Sequence, residues 1–373
     1  MVFSMKILFA GGGTAGHINP ALAVARYAKE QDAENAILFV GKRGNMEETL
    51  VPKEGFDIDF IDIEGFKRSL SPRNMLVVYK MIKAVGTCKR IIKRFKPDVV
   101  ISTGGYVGGP IMVAASRLGV PSMIHEQNVY PGVAVNMSAK HANCIATSFE
   151  QTAQYTKYPG KCAFTGNPVR SGLLNINREQ ARQSMRLNEK PMVLVVGGSL
   201  GADRINSAMI EYIKRIIGAG NVQILFATGT RNYGAVTATM KSEGIDIESD
   251  ADIRVVPYIY NMDEAMAAAD IVVSRGGAIT LSEITALGKA SILIPSPNTT
   301  RNQQVENVNL LKGKGAAKII YESELTSEIL QNTIEVMLED IDGTELMRQN
   351  AKKMGVTDAV EKIFKLAKKI QKQ

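Results

Sequence analysis

Short apolar runs alternate with longer segments of helical periodicity along almost the whole chain. We predict strands at 6–10, 36–40, 58–62, 98–102, 121–125 and 143–147, with helical patterns such as 20–29 and 111–117 between them. After Pro168 the rhythm restarts, and strands are predicted at 192–196, 222–226, 253–257, 270–274 and 290–294. Strand alternating with helix is typical of parallel sheets with right-handed crossovers. The pattern therefore predicts an α/β protein with two Rossmann-like, doubly wound parallel-sheet domains.

The boundary between these domains is predicted at Gly166-Asn167-Pro168-Val169-Arg170, where Gly and Pro interrupt any regular element. We expect a first domain over residues 1–165 and a second over residues 166–345. Residues 346–373 are helical and polar, and they end in a helix with an apolar face of Ile363, Phe364 and Ala367.

A glycine-rich turn follows the first strand of each predicted domain. The first runs Gly11-Gly12-Gly13-Thr14-Ala15-Gly16-His17, and the second runs Gly197-Gly198-Ser199-Leu200-Gly201. Glycine permits left-handed backbone and close approach of a ligand, and the helix that follows turns the positive end of its dipole toward that ligand. Both turns are therefore typical of phosphate-binding sites.

His17 directly follows the first of these turns and is the titratable residue of most interest. The helix dipole disfavours imidazolium at a helix N-terminus, so the ring is expected to be neutral near pH 7 and able to accept a proton. The spacing Gly11, Gly13, Gly16 also fits a dinucleotide-binding turn. The second strand ends in Lys42 and Arg43 rather than a carboxylate, which leaves an NADP-dependent oxidoreductase as an alternative.

Composition indicates an ordinary globular protein of 373 residues, 45% hydrophobic and 22% charged. The three cysteines, Cys88, Cys144 and Cys162, have no zinc or disulfide spacing and favour a reducing compartment. The first apolar run, 7–10, is too short for a signal peptide, and no run approaches the length of a membrane span.

The net charge of +8 is concentrated in one segment. Residues 65–97 hold ten of the basic residues and no acidic one, which leaves 35 basic against 37 acidic residues elsewhere.

Ser71 and Pro72 predict the start of a helix in this basic segment. The apolar residues that follow exceed what one buried face needs, so we expect this helix to dock on an anionic membrane surface. A buried helix with solvated charges is the alternative, and a nucleic-acid partner is disfavoured because no binding motif accompanies the basic residues. The residues expected at the membrane are Leu76, Tyr79, Lys80, Ile82 and Lys83.

Six motifs in register, spread over essentially the whole chain, resemble those of the MurG-type glycosyltransferases of peptidoglycan synthesis. They are Gly12-Gly13-Thr14-Ala15-Gly16-His17, Gly104-Gly105-Tyr106-Val107, His125-Glu126-Gln127-Asn128, Gly166-Asn167-Pro168-Val169-Arg170, Gly197-Gly198-Ser199-Leu200-Gly201-Ala202 and Arg275-Gly276-Gly277-Ala278-Ile279-Thr280-Leu281-Ser282-Glu283. The first motif departs from the family at Ala15, where glycine is usual, so a slightly different loop is expected there.

The resemblance implies a GT-B fold, in which two Rossmann-like domains face each other across a cleft and the C-terminal helix returns to the first domain. It implies inverting transfer of GlcNAc from UDP-GlcNAc to the C4 hydroxyl of the muramoyl sugar of lipid I, giving lipid II. The expected partners are UDP-GlcNAc, lipid I, the anionic cytoplasmic face of the cell membrane, where the protein would be peripheral, and a complex of cell-wall synthesis or division. A GT-B enzyme with another lipid acceptor and a non-catalytic membrane module are the remaining alternatives.

By the same resemblance, the donor site belongs mainly to the second domain. Glu283 is expected to accept hydrogen bonds from the ribose hydroxyls, in the first turn of a helix opened by Thr280. Ile259 and Met262 would form the wall around the uridine, Ser199 and Arg170 would meet the diphosphate, and Ala278, Ile279 and Thr280 would offer a helix start to it. The amides of Gln303 and Gln304 would read the GlcNAc hydroxyls, with Asn307 and Asn128 completing the sugar pocket.

The acceptor side belongs to the first domain. His17 is predicted as the general base, with Thr14 beside it, and Thr14, Ala15, Gly16 and His17 are also expected to contact the donor. Gly12, Gly13, Gly105 and Tyr106 would form the loop for the acceptor phosphates. No cofactor and no metal are expected, because the paired carboxylates at 57/59, 246/248 and 250/252 adjoin no glycine loop.

Overall fold

The computed structural model describes residues 4–64, 73–198 and 201–371. Contacts divide the chain into two units: an N-terminal unit that ends at Val169 and takes up the chain again from Thr357, and a C-terminal unit over Arg170–Val356. The chain therefore passes between the units at 169/170 and again at 356/357, whereas the sequence placed the boundaries at 165/166 and 345/346.

The N-terminal unit is built on a sheet of seven strands, all parallel, in the order β3-β2-β1-β4-β5-β6-β7. Its elements are β1 (Lys6–Gly11), α1 (Ala15–Gln31), β2 (Ala36–Gly41), α2 (Glu47–Lys53), β3 (Asp57–Phe60), α3 (Arg73–Phe95), β4 (Val99–Gly104), α4 (Gly108–Arg117), β5 (Ser122–Glu126), α5 (Val133–Ser138), β6 (Cys144–Thr147), α6 (Thr152–Tyr155), β7 (Cys162–Phe164) and the last helix, α16 (Ala359–Gln371).

Both faces of this sheet are covered, which is why its strands are continuously apolar. Along β1, Ile7 and Phe9 pack with α1 and α16, while Leu8 and Ala10 pack with α3 and α4 on the other face. Helix α16 buries Ile363, Phe364, Ala367 and Ile370 in the first of these layers.

The C-terminal unit repeats the plan with six parallel strands in the order β10-β9-β8-β11-β12-β13. Its elements are α7 (Ser171–Asn175), α8 (Arg178–Ser184), β8 (Met192–Val196), α9 (Asp203–Ile216), β9 (Gln223–Ala227), α10 (Tyr233–Ser242), β10 (Ile253–Val256), α11 (Met262–Ala268), β11 (Ile271–Ser274), α12 (Ala278–Leu287), β12 (Ala290–Leu293), α13 (Gln303–Gly313), β13 (Lys318–Ile319), α14 (Ser327–Glu339) and α15 (Ile341–Met354).

The predicted fold class is confirmed, because each unit is a doubly wound parallel sheet of the Rossmann type. All eleven predicted strands are present. The short strands β7 and β13 were missed, and the first helix begins at Ala15 rather than Pro20. Ala15 is the first residue of that helix, with no positive φ, so alanine fits here and the loop needs no different shape.

Candidate active site

The first glycine turn connects β1 to α1 and holds the imidazole of His17 against its own backbone. The Nδ1 atom of His17 lies 3.2 Å from the carbonyl oxygen of Gly12 and 3.3 Å from the hydroxyl of Thr14. A carbonyl only accepts, so the contact assigns the proton to Nδ1 and leaves Nε2 as the proton acceptor. The backbone is fixed as well, because the Thr103 hydroxyl donates to the carbonyl of His17 over 2.6 Å.

The second glycine motif of this unit packs directly on the first. Gly104 has a positive φ of 107°, and a Cβ there would lie 2.9 Å from the His17 ring carbon Cδ2 and 3.1 Å from Nε2. A Cβ on Gly105 would lie 2.3 Å from the Gly12 carbonyl. Both glycines are needed for this close approach, and Tyr106 beside them is 62% exposed.

Burial sets the electrostatics of the two neighbouring histidines. Desolvation lowers the pKa of His17, while the Gly12 carbonyl and the charge of Glu47 act in the opposite direction. Desolvation lowers the pKa of His125 to about 4. Both rings are therefore neutral near pH 7, as the sequence predicted for His17.

Two further motifs, 125–128 and 166–170, turn out to be one hydrogen-bonded network. His125 lies within β5, and its Nε2 is 3.2 Å from the Gly166 carbonyl. Asn167 accepts from the Ser148 hydroxyl and donates to the Gln127 carbonyl. The buried carboxylate of Glu126 accepts from the backbone amides at 128 and 132 and from the side chain of Asn128. The network holds Asn128 in place at the carboxyl end of β5.

The glycine turn of the C-terminal unit connects β8 to α9. Gly197 is buried, and a Cβ there would lie 2.8 Å from the backbone nitrogen of Ala202. Gly198 is exposed with a positive φ of 94°. Ser199, predicted at the diphosphate, lies outside the described residues.

Helix α12 begins at Ala278, so the predicted helix start at residues 278–280 is present. Its first turn holds no acidic residue, whereas α9 carries Asp203 in its first turn. Glu283 lies in the second turn of α12, not in the first as the sequence suggested. Since the dipole acts over the first turn, a role for Glu283 as a charge partner of the helix end is set aside.

Glu283 is instead paired with Arg170, 113 residues away in sequence. Arg170 Nε donates to Glu283 Oε1 over 2.9 Å, and its Nη1 lies 3.0 Å from Asp263 Oδ1. The Glu283 side chain is 8% exposed. Burial raises the pKa of Glu283, and the Arg170 charge and hydrogen bond oppose that rise.

The remaining predicted donor residues lie at element ends of the same unit. Ile259 is buried between β10 and α11, and Met262 is the first residue of α11. Gln303 opens α13, and the side-chain oxygen of Gln304 accepts from the Ser296 amide over 2.8 Å. Asn307 is fully buried and donates to the Gly276 carbonyl, so its amide holds a loop rather than lying at the surface.

The turn before α13 is strained. Arg301 and Asn302 both have φ near 54°, in the left-handed region that non-glycine residues rarely adopt. Such conformations cost on the order of 1–3 kcal/mol each and cluster at functional sites. Their position directly before Gln303 favours a binding role for this turn.

The predicted membrane helix, α3, presents two different faces. Ala84, Val85 and Cys88 are in the core, while Tyr79 and Ile82 are 62% and 68% exposed. Lys83 is exposed, but Lys80 is ion-paired with Asp62 and Glu64 just before the basic segment. Leu76 is part of α3, and its side chain lies outside the described residues, as do Ser71 and Pro72. Of the helices described, none is both long and apolar enough to cross a membrane.

The paired carboxylates of the sequence have structural partners. Asp59 pairs with Arg94, Asp252 pairs with Lys190, and Asp246 accepts from the Glu248 amide. Within the described ranges, no group of three or more His, Cys, Asp or Glu side chains could hold a metal ion.

Glu47, Gly104 and Asp263 are contact residues that the sequence did not single out. Glu47 meets the first glycine turn from 34 residues away, and Asp263 meets Arg170 from another helix. No local pattern marks such long-range contacts. Gly104 alone carried a signal, since it stands in one of the quoted motifs.

Comparison with known proteins gives the family. Residues 7–147 match the model of the glycosyltransferase family 28 N-terminal domain, and residues 192–363 match that of the C-terminal domain. A protein of Acetivibrio thermocellus named UDP-N-acetylglucosamine--N-acetylmuramyl-(pentapeptide) pyrophosphoryl-undecaprenol N-acetylglucosamine transferase is 44% identical over 369 residues, covering 99% of both chains. A protein of Thermoanaerobacter sp. with the same name is 43% identical over 98% of this chain and 100% of its own.

A solved structure agrees with these matches. The crystal structure of Acinetobacter baumannii MurG aligns with a TM-score of 0.77 at 28% identity, covering 98% of this chain and 99% of that one. The similarity extends over both units, so the alternative hypothesis of an NADP-dependent oxidoreductase is rejected. The chain belongs to glycosyltransferase family 28 and, within it, to the MurG-type N-acetylglucosamine transferases.

Proposed function

We propose that this chain transfers GlcNAc from UDP-GlcNAc to the C4 hydroxyl of the muramoyl sugar of lipid I, with inversion, to give lipid II. Full-length identity of 44% to a relative named as that transferase is the observation that carries the proposal. The local geometry supports it, because each unit offers one of the two functions that the reaction needs.

The N-terminal unit supplies the base. With Nδ1 held on the Gly12 carbonyl, Nε2 of the neutral His17 ring takes the proton of the acceptor hydroxyl. The acceptor oxygen then forms a bond to the anomeric carbon of GlcNAc as the bond to the UDP oxygen breaks. The acceptor diphosphate would rest on the turn formed by Gly12, Gly13 and Gly105.

The C-terminal unit holds the donor. The N-terminus of α12 has no acidic residue in its first turn, so its dipole stabilises the negative charge that grows on the departing UDP. Arg170, which is paired with Glu283 and Asp263, would meet the diphosphate, and Glu283 would accept from the ribose hydroxyls. Helix α9 carries the negative charge of Asp203 in its first turn, which would repel a phosphate. The N-terminus of α12 is therefore the stronger phosphate partner of the two.

The protein would act at the cytoplasmic face of the membrane without crossing it. The exposed pair Tyr79 and Ile82, with Lys83 beside it, supports docking through α3 because apolar and basic groups together bind anionic lipid surfaces. Docking there brings the enzyme to an acceptor that carries a polyprenyl chain.

Product analysis tests the proposal. UDP-GlcNAc is incubated with the protein and either a lipid I analogue or diacylglycerol, and the product linkage is read by NMR. A β-linked GlcNAc on C4 of the muramoyl sugar is expected. Transfer to diacylglycerol alone would identify a different lipid acceptor and overturn the proposal.

Substitution of the base tests the mechanism. His17→Ala is expected to lower kcat by about 10² to 10⁴, the usual range for loss of a general base. Binding of UDP-GlcNAc, measured by calorimetry, should survive the substitution because most of the expected donor contacts belong to the other unit. Near-normal turnover would remove His17 from this role.

A further inference from the structure

A buried carboxylate reaches the first glycine turn from α2. Glu47 is the first residue of that helix and is 0% exposed. Its carboxylate accepts from the Gly13 backbone N–H over 3.0 Å, the Lys42 backbone N–H over 3.1 Å and the Asn45 side-chain amide over 3.3 Å. These donors are all neutral, so no cation among them offsets the charge of a carboxylate beside the turn.

Two glycines make the room that this side chain occupies. A Cβ on Gly12 would lie 2.2 Å from Glu47 Oε1, and a Cβ on Gly41 would lie 2.6 Å from Glu47 Cγ. The slot therefore admits a glutamate only because both positions lack side chains. The carboxylate is therefore in direct contact with the backbone of the first glycine turn.

Glu47 and His17 bind the two ends of one peptide group. The N–H of Gly13 and the C=O of Gly12 belong to the same peptide bond, Glu47 accepts from the N–H, and His17 Nδ1 donates to the C=O. Hydrogen bonds in such a chain polarise one another, so a negative charge at the N–H makes the carbonyl a stronger acceptor. The carbonyl in turn favours the proton on Nδ1.

We propose that Glu47 is a positioning residue for His17, acting through the Gly12–Gly13 peptide group to fix the Nδ1–H tautomer and support the imidazolium. The arrangement does through a peptide what a carboxylate does by direct contact with a catalytic histidine. This inference rests on the proposed function, since it assigns Glu47 a part in the same proton transfer.

The Thr14 hydroxyl also lies 3.3 Å from Nδ1, and His125, on β5, is a second titratable group that interacts electrostatically with the His17 ring. His125 is neutral near pH 7 because burial lowers its pKa to about 4, and the β4–α4 turn meets the His17 ring with Gly104 and Gly105. Glu47 is thus the charge that faces His17 at neutral pH.

NMR of the histidine ring tests the inference without any turnover. The chain has three histidines, so His17→Ala identifies the His17 signals in ¹H–¹⁵N spectra of the labelled full chain. In wild type we expect the Nδ1–H tautomer. In Glu47→Gln, loss of the negative charge should lower the pKa of His17 and shift the ring toward a mixture of tautomers.

Kinetics of the same variants complete the test. Glu47→Gln should lower kcat by about 10- to 100-fold, the range seen when the partner of a ligating histidine is lost, and leave the KM for UDP-GlcNAc unchanged. The acidic limb of its kcat profile should move to lower pH. Glu48→Gln is the matched control, since Glu48 is the next residue of α2 and bonds to Gly44 and Arg43 instead.

Outcomes separate this inference from the proposed function. An unchanged tautomer, pKa and pH profile in Glu47→Gln, with wild-type transfer intact, would overturn the inference. Absence of transfer by the wild type would contradict the proposed function. The NMR spectra would still show whether Glu47 controls the tautomer of His17. If Glu47→Gln does not fold, Glu47→Asp keeps the charge but shortens the reach, and an undisturbed Nδ1–H tautomer in that variant would count against the relay.

Discussion

At the scale of the residue, the chemistry depends on side chains that the fold keeps uncharged or paired. Desolvation lowers the pKa of both His17 and His125, so the two rings are neutral near pH 7, and Arg170 opposes the rise that burial causes in the pKa of Glu283. The sequence drew attention to these residues because they stand in or beside the glycine-containing motifs. Their partners were not predictable, because a contact between residues 34 or 113 positions apart leaves no local pattern in the sequence.

His125 predicts a loss of stability in mild acid. Its pKa is about 4 in the folded protein and near 6.5 when unfolded, so between these values the unfolded chain binds the extra proton. This contribution to the free energy of unfolding is therefore fully present above pH 6.5 and is lost as the pH falls toward 4. The total loss is about 3 kcal/mol. Urea unfolding at pH 7 and pH 4.5 measures it.

Two variants show whether His125 is responsible. His125→Gln should unfold more readily at pH 7 and show a weaker dependence on pH. His141→Gln, at a half-buried site of the same unit where the pKa of the ring is also lowered, should change the pH dependence less than His125→Gln does. Equal pH dependence in the wild type and His125→Gln would contradict the assignment.

At the scale of the element, the apolar pattern predicted eleven of the strands but missed the two shortest, β7 and β13. Runs of four to six apolar residues identified the buried strands, whereas β7 and β13 span three and two residues and carry no such run. Helix starts were predicted less accurately. Helix α12 begins at Ala278 rather than Thr280, which places Glu283 in its second turn instead of its first. Hydrogen bonding in the turns, rather than apolar pattern, decides where these helices begin.

Helix α3 predicts binding to anionic membranes through its exposed face. Lys83→Glu should weaken binding to phosphatidylglycerol vesicles by about 10- to 30-fold, because a basic residue near such a surface contributes about 1 kcal/mol and reversal doubles the effect. Ile82→Glu should weaken it as well, because it removes an apolar contact and adds a negative charge. Added salt should weaken wild-type binding as well. Vesicle co-sedimentation measures both.

The chain offers matched controls for this face. Ile341 is 73% exposed, similar to Ile82, and Lys241 is an exposed lysine of α10, and both lie in the C-terminal unit. Ile341→Glu and Lys241→Glu should bind vesicles like the wild type. If all four variants bind alike, α3 is not the docking helix.

At the scale of the whole molecule, the two units repeat one plan, and the chain enters the first unit twice. Both sheets place the first strand of the unit third in the order, so each glycine turn lies beside the crossover point where ligands of such sheets bind. The repeated order was predictable from the restart of the strand pattern. The second boundary, at 356/357, was not, because α15 and α16 are both polar helices with one apolar face.

The return of the chain predicts that α16 stabilises the N-terminal unit. Phe364 is 3% exposed and its ring meets that of Tyr27 at 5.6 Å. Phe364→Ala should cost about 3–5 kcal/mol in the free energy of unfolding, measured in urea, since it leaves a cavity between α16 and α1. Leu346→Ala, at a site that is 56% exposed, should cost under about 0.5 kcal/mol. A small effect at Phe364 would mean that α16 is not part of this core.

The most direct test of the account is the rate of UDP release from UDP-GlcNAc, with and without a lipid I analogue. Acceptor-dependent release is expected, fast with the analogue and near background without it, because His17 has a hydroxyl to deprotonate only when the acceptor is bound. Equal release in both cases, or none in either, would contradict the assignment of this chain as the transferase.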